Sequence, residues 1–127
     1  MVKYTSLRPV LWTENLDDTI GFYIHVLGFS LLGRNDDWQW ASICKDDVQI
    51  MLSAPNEHEK FEGIGFTGSF YFNVSEVNNL WEELKAKAKI CYEIETFDWG
   101  MREFAVYDNN GYILQFGEPV DEISKAE

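Results

Sequence analysis

Three features of the sequence predict an α+β fold made of two copies of one strand, helix and three-strand unit. The chain repeats itself: Trp40 to Met51 lies over Phe104 to Gln115 at an offset of 64, and Arg8 to Tyr23 lies over Ser69 to Leu84 at an offset of 61. Two stretches show helical periodicity behind a capping residue. The remaining apolar runs are short, extended and joined by turn-forming residues, the pattern of antiparallel hairpins.

Tyr4 to Thr13 is predicted as the opening strand. Asn15 can cap a helix whose apolar face is Leu16, Ile20, Tyr23 and Leu27, and Gly28 ends it in the left-handed conformation that glycine tolerates. Strands follow at Phe29 to Gly33, Trp38 to Cys44 and Val48 to Ser53, the last two joined by the turn Lys45-Asp46-Asp47. Ala54 to Gly68, with Pro55, Gly63, Gly65 and Gly68, has the composition of a linker. In the second half a strand at Ser69 to Asn73 precedes a helix capped by Ser75, with Val77, Leu80, Trp81, Leu84 and Ala88 on its apolar face. Ile90 to Thr96, Met101 to Tyr107 and Tyr112 to Phe116 complete the set, with a turn at Asp108 to Gly111. One domain is expected: a first βαβββ module over about 4–53, a linker at 54–68, a second module at 69–117 and a tail at 118–127.

Composition narrows the function. In 127 residues, 22 Asp and Glu face 10 Lys and Arg, a formal net charge of −12. That balance argues against nucleic acid as partner, since phosphates require clustered cations, and the alternation Lys85, Lys87, Lys89 reads as a solvated helix end. No apolar window approaches the roughly 18 residues of a membrane span, and the first residues lack the apolar run of a signal peptide, so a cytoplasmic location is expected. Apolar residues at 46% suffice for a sizeable core. Cys44 and Cys91 suggest free thiols, and His25 and His58 have no neighbours at metal or relay spacing. Five Trp on an acidic chain suit a flat or cationic organic ligand.

Arg8-Pro9-Val10-Leu11, the helix end Val26-Leu27-Gly28-Phe29, the hairpin Lys45 to Val48 and the stretch Trp99 to Gly111 together resemble the vicinal oxygen chelate superfamily, with closest likeness to its bleomycin resistance protein branch. The likeness runs from about Thr5 to Pro119. It implies two βαβββ modules forming a curved eight-stranded mixed half-barrel with the helices outside. It also implies a homodimer, with an N-terminal strand exchanged at a pivot like Pro9; the plain alternative is an edge-strand proline that limits aggregation.

The metal-dependent members of that superfamily use His and Glu from the first and last strand of each module. Matched by motif, those positions are Arg8, Met51, Ser69 and Gln115. A guanidinium, a thioether, a hydroxyl and an amide are a poor donor set for a divalent transition metal, so no metal or other cofactor is expected.

Strand alternation extends the face of those four residues. If Asp46-Asp47 is a two-residue loop, Met51 stands opposite Ser42, and Trp38 and Trp40 join Gln49 and Met51 on the concave side. The offset of 64 then places Arg102 and Phe104 with Ile113 and Gln115, and turns Glu103 away. Tyr71 and Asn73 share the face of Ser69, Trp12 that of Arg8, and Trp99 lies at the rim with Gly100 leaving room beside it. Trp81 is assigned to the helix core, while Trp12, Tyr71 and Phe104 could equally be core. The expected site is therefore Trp38, Trp40, Met51, Tyr71, Trp99, Arg102, Phe104, Gln115, Arg8 and Ser69, binding a small cationic or aromatic molecule. The alternative is an enzyme of the superfamily with a degenerate metal site, clamping its substrate with Arg102 or Arg8; a regulatory dimer with a vestigial trough is a third.

Overall fold

The computed structural model describes residues 1–55, 61–65 and 69–121; residues 56–60 and 66–68 of the predicted linker, His58 among them, and the tail from 122 lie outside the described residues. The chain forms two compact units, Met1–Glu62 and Gly63–Glu127. Each carries a four-stranded mixed sheet and a helix, the repeated βαβββ unit of an α+β fold.

In the first unit the strands are β1 (Val10–Trp12), β2 (Ser30–Asn35), β3 (Trp40–Lys45) and β4 (Val48–Ser53), in the order β1-β4-β3-β2 with β1 parallel to β4. The helix α1 (Leu16–Gly21) begins at Asn15, whose side chain accepts from the Asp18 amide. It widens into a π-helical turn at Phe22–Val26, where the Leu27 amide reaches back to the Phe22 carbonyl. Leu16, Ile20, Tyr23 and Leu27 are all buried, and Gly28 ends the helix at φ +79. The helix covers the face of β3 and β4 that carries Ala41, Ile43, Ile50 and Leu52.

Three boundaries in this unit differ by two residues or more from expectation. The opening strand is short because Pro9 has no amide to donate; Met1 to Arg8 are exposed outside the ladder, although the Pro9 carbonyl accepts from the Met51 amide at 2.9 Å. β2 runs to Asn35 with a bulge between Leu31 and Gly33. β3 starts at Trp40 instead of Trp38, because Gln39 adopts φ 51 and closes a turn over Asp36 to Gln39.

The second unit contains β5 (Phe70–Asn73), α2 (Val77–Leu84), β6 (Lys89–Thr96), β7 (Met101–Tyr107) and β8 (Ile113–Pro119), in the order β5-β8-β7-β6 with β5 parallel to β8. α2 packs on β7 and β8 through Val77, Leu84 and Trp81, whose ring meets Phe104 edge-on at 5.2 Å. Phe104 stacks on Phe116 at 5.3 Å, and Phe116 on Phe72 at 5.1 Å. Each buried Phe contributes about 1.5–3 kcal/mol of transfer free energy.

The cap of α2 is not Ser75. Glu76 takes the cap position at φ 56 with no capping side chain of its own, and the Glu118 carboxylate at the end of β8 accepts from the amides of Glu76 (3.0 Å) and Val77 (3.1 Å). A remote carboxylate thus satisfies two of the orphan donors and meets the positive end of the helix dipole. Among the described residues no helix is long and apolar enough to cross a membrane.

Candidate functional site

The register of each hairpin decides which side chains share a face. In the first unit Lys45 pairs with Val48, so Asp46-Asp47 is a two-residue loop and Met51 stands opposite Ser42, as the sequence predicts. In the second unit the Asp108 amide bonds the Tyr112 carbonyl around three residues, Asn109, Asn110 and Gly111, with Gly111 at φ +101. The Asp108 carboxylate holds this loop by accepting from the amides of Asn110, Gly111 and Tyr112 at 2.8, 2.9 and 3.0 Å. The loop is one residue longer than its counterpart, so Gln115 stands opposite Ala105, and Phe104 opposite Phe116.

That extra residue overturns the predicted face of β7. A shift of one residue sends every side chain to the other side of a strand. Phe104 is fully buried on the helix side under Trp81, and Arg102 lies on that side too, its Nε donating to Asn78 Oδ1 of α2 at 2.7 Å and its Nη1 to Thr96 Oγ1 at 3.1 Å. Neither belongs with Gln115. Glu103 takes their place on the helix-free face, only 2% exposed.

Glu103 is the centre of a hydrogen-bond network. Its Oε1 accepts from the Tyr71 hydroxyl at 3.0 Å and from Trp99 Nε1 at 2.9 Å, and its Oε2 accepts from the Tyr92 hydroxyl. Gln115 Nε2 donates to the Tyr92 oxygen at 2.9 Å, and the Ser69 hydroxyl donates to Gln115 Oε1. Four of the predicted site residues, Ser69, Tyr71, Trp99 and Gln115, therefore converge here, from the residue before β5, from β5 itself, from the β6–β7 turn and from β8. Three charge-assisted bonds offset the cost of burying the carboxylate. Burial first, then the bond to Glu103, pushes the Tyr71 phenol up to about 12; the same two causes, in the same order, raise Tyr92. Both phenols therefore stay protonated and act as donors through the physiological range.

Trp99 sits in a tight turn. The Gly100 amide bonds the Phe97 carbonyl at 3.1 Å, Gly100 adopts φ +84, and its carbonyl accepts from the Val120 amide at 3.0 Å. Phe97 stacks on one face of Trp99 at 4.6 Å, while the indole remains 66% exposed. The glycine supplies the left-handed conformation that this turn requires, and a Cβ there would meet no protein atom within 4 Å. The turn of Trp38 is built alike: the Gln39 amide bonds the Asp36 carbonyl, Gln39 is left-handed, and its carbonyl accepts from the Ala54 amide at 3.0 Å. Asp37-Trp38 and Asp98-Trp99 thus occupy equivalent turns at an offset of 61, and Trp38 is 74% exposed.

On the helix-free face of the first unit, Trp40 and Met51 are half-buried, with the Trp40 ring lying over Gly33. Arg8 is exposed ahead of β1. The carboxylate of Asp36, in the turn of Trp38, is compensated by Arg34, which pairs with both Asp17 and Asp36; those hydrogen bonds raise the Arg34 pKa further. Trp12 meets Phe61 edge-on at 5.7 Å.

The family's four-ligand metal site does not fit these residues. Gln115 Oε1 is taken by Ser69, Arg8 is a cation, Met51 offers a thioether, and the nearby Glu103 carboxylate is already wrapped by three donors. Among the described residues no three His, Cys, Asp or Glu side chains gather as metal ligands. What the second unit does offer is a set of aromatic rings fixed around a sealed negative charge.

Glu103 and Tyr92 escape a reading by repeat offset alone. The signal that finds Glu103 is the loop count: three residues between Asp108 and Tyr112 against two between Lys45 and Val48. Tyr92 carries no such signal, since two bulges in β6 break its alternation.

Residues 5–116 match the family described as Glyoxalase/Bleomycin resistance protein/Dioxygenase superfamily. A relative in Mycolicibacterium smegmatis, an uncharacterized protein, is 33% identical over 111 residues, covering 87% of this chain and 90% of its own. Among solved structures, a glyoxalase/bleomycin resistance protein/dioxygenase from Nocardioides is 19% identical with a TM-score of 0.73, covering 94% of this chain and 86% of its own. One of the same description from Alicyclobacillus acidocaldarius is 16% identical with a TM-score of 0.74, covering 94% of each chain. At these identities the structures speak for the fold.

Proposed function

The chain belongs to the Glyoxalase/Bleomycin resistance protein/Dioxygenase superfamily, and from that membership we propose a metal-free binding protein that sequesters a cationic, aromatic-containing small molecule, in the manner of the bleomycin resistance branch. The observation that carries this reading is the exchange of chemistry on the face of Ser69 and Gln115. Where metal-dependent relatives need His and Glu, this chain has a hydroxyl and an amide tied into a network of Tyr71, Tyr92, Trp99 and Glu103. Aromatic rings with a few convergent polar groups suit an organic ligand, each ring contact being worth about 0.5–2 kcal/mol. On the first unit, Trp38 is exposed and Trp40 and Met51 are half-buried, surface of the same aromatic and apolar kind. The net charge of −12 would raise the encounter rate of a cation. The protein works by stoichiometric capture, as a cytoplasmic homodimer, with the exposed segment ending at Pro9 as the strand to be exchanged.

Titrating intrinsic tryptophan fluorescence with bleomycin-like cationic glycopeptides tests the proposal. Saturable quenching at one ligand per subunit is expected, and a flat response through high micromolar concentrations overturns it. A second reading, an enzyme of the superfamily, gains one point from Glu103, a carboxylate on the same face as Gln115. A full equivalent of transition metal retained against a chelator would favour it.

A further inference from the structure

We propose that the rings of Tyr71, Tyr92 and Trp99, held around the Glu103 carboxylate, form a site for a quaternary alkylammonium group. The inference rests on the capture reading and names the part of the ligand this cluster takes.

The first element is the charge. Glu103 is 2% exposed, and among the described residues no Lys or Arg forms an ion pair with it. Its hydrogen bonds come from two phenols and an indole, all neutral. They satisfy the carboxylate without cancelling it. A negative charge so little exposed is poorly screened by water and attracts a cation placed against the rings.

The second element is the rings. A phenol or indole that donates to a carboxylate is polarised, which leaves its π face more negative and improves it as a cation–π partner. Tyr71 and Trp99 reach the same oxygen, Oε1, and both remain accessible, 40% and 66% exposed. Phe97 stacks on one face of Trp99, and the edge of Tyr92 lies 5.8 Å from Phe97, so the pair braces the indole while its other face stays available.

The third element selects the kind of cation. Three of the carboxylate's roughly four acceptor positions are filled and the group is sealed from solvent, so the carboxylate offers a primary ammonium at most one acceptor for its three N–H bonds. On the side that meets the rings the ammonium would give up more hydration than the cluster replaces. A quaternary ammonium has no N–H, spreads its charge over methyl groups and loses little on leaving water. Gly117 completes the arrangement, since only a residue without a side chain lets the Tyr71 ring cross β8 to reach Glu103.

Choline and 3,3-dimethylbutan-1-ol share one shape and differ in charge, choline and ethanolamine share the charge and differ in methylation, and the effect of all three on the tryptophan fluorescence of the intact protein tests the inference. Choline should quench saturably, with a dissociation constant about tenfold below those of ethanolamine and the neutral alcohol. Equal binding of all three, or tighter ethanolamine, overturns the site. Quenching by a cationic glycopeptide with no response to choline overturns it and leaves capture standing; no response to either sinks both. Glu103→Gln should weaken choline about tenfold and leave the alcohol unchanged. Because that variant can lose stability, the three-ligand comparison on the unaltered protein decides the matter without it.

Discussion

A Cβ on Gly117 would stand 2.0 Å from the hydroxyl oxygen of Tyr71, so the phenol crosses β8 over a residue that has no side chain and reaches Glu103 on β7 beyond it. Gly117→Ala must therefore expel Tyr71 from the carboxylate. The expected result is a loss of about 1–3 kcal/mol in stability and a Tyr71 phenol that titrates back toward the ordinary 10.0 from about 12. A Tyr Cζ NMR titration reads the second effect directly. Should Tyr71 keep its raised value in the variant, the crossing is not what fixes it.

The raised phenols also set how stability depends on alkaline pH. The folded protein holds the Tyr71 proton more tightly than the unfolded chain does, so this contribution is fully present below pH 10.0 and disappears as pH rises toward about 12; Tyr92 acts in the same direction. Urea midpoints of the unaltered protein should fall above pH 10.0 more steeply than those of Tyr71→Phe, which lacks the titrating group. Parallel curves would show that the Tyr71 proton is not linked to folding.

How much the sequence discloses follows from which signals are local. The buried face of α1 could be read because Leu16, Ile20, Tyr23 and Leu27 keep helical spacing, and the first hairpin because two Asp residues make a two-residue loop. The second hairpin departs from its expected register for a physical reason: a repeat offset assumes equal loops, and a single added residue reverses the alternation, trading Arg102 and Phe104 for Glu103. Gly117 and the Glu118 cap depend on partners over 40 residues away, which no local pattern encodes.

The Glu118 cap makes a prediction of its own. Its two oxygens serve the amides of Glu76 and Val77, at the start of a helix that has no capping side chain nearby. Glu118→Ala should cost about 1–2 kcal/mol in a urea unfolding curve, and Glu118→Gln about half as much, because the amide keeps one acceptor and loses the charge. Ser75→Ala should change stability by under about 0.5 kcal/mol, the value for a surface residue that caps nothing.

Asp108 shapes the loop that sets the register of β7 against β8. One oxygen, Oδ1, accepts three amides while the residue is only 5% exposed. Asp108→Asn retains an acceptor at that position and should lose about 1 kcal/mol. Asp108→Ala leaves three amides without their partner and should lose about 2–4 kcal/mol, since each buried unmet donor costs about 1–3 kcal/mol and solvent reaches some of them.

Gly100 separates a conformational requirement from a steric one. Its φ of +84 lies in the left-handed region, yet a Cβ there would meet nothing within 4 Å. If the glycine serves the backbone, Gly100→Ala costs about 1 kcal/mol in stability, as any L side chain at positive φ does, and leaves ligand affinity within about twofold once the protein is folded. If it also leaves space beside Trp99, the same variant loses affinity as well as stability. The equivalent turn offers an internal control: Gln39 already holds a side chain at φ 51, and its amide donates to the Asp36 carbonyl at 2.7 Å. Gly100→Asn, which tolerates the left-handed region, should recover most of the stability lost in Gly100→Ala.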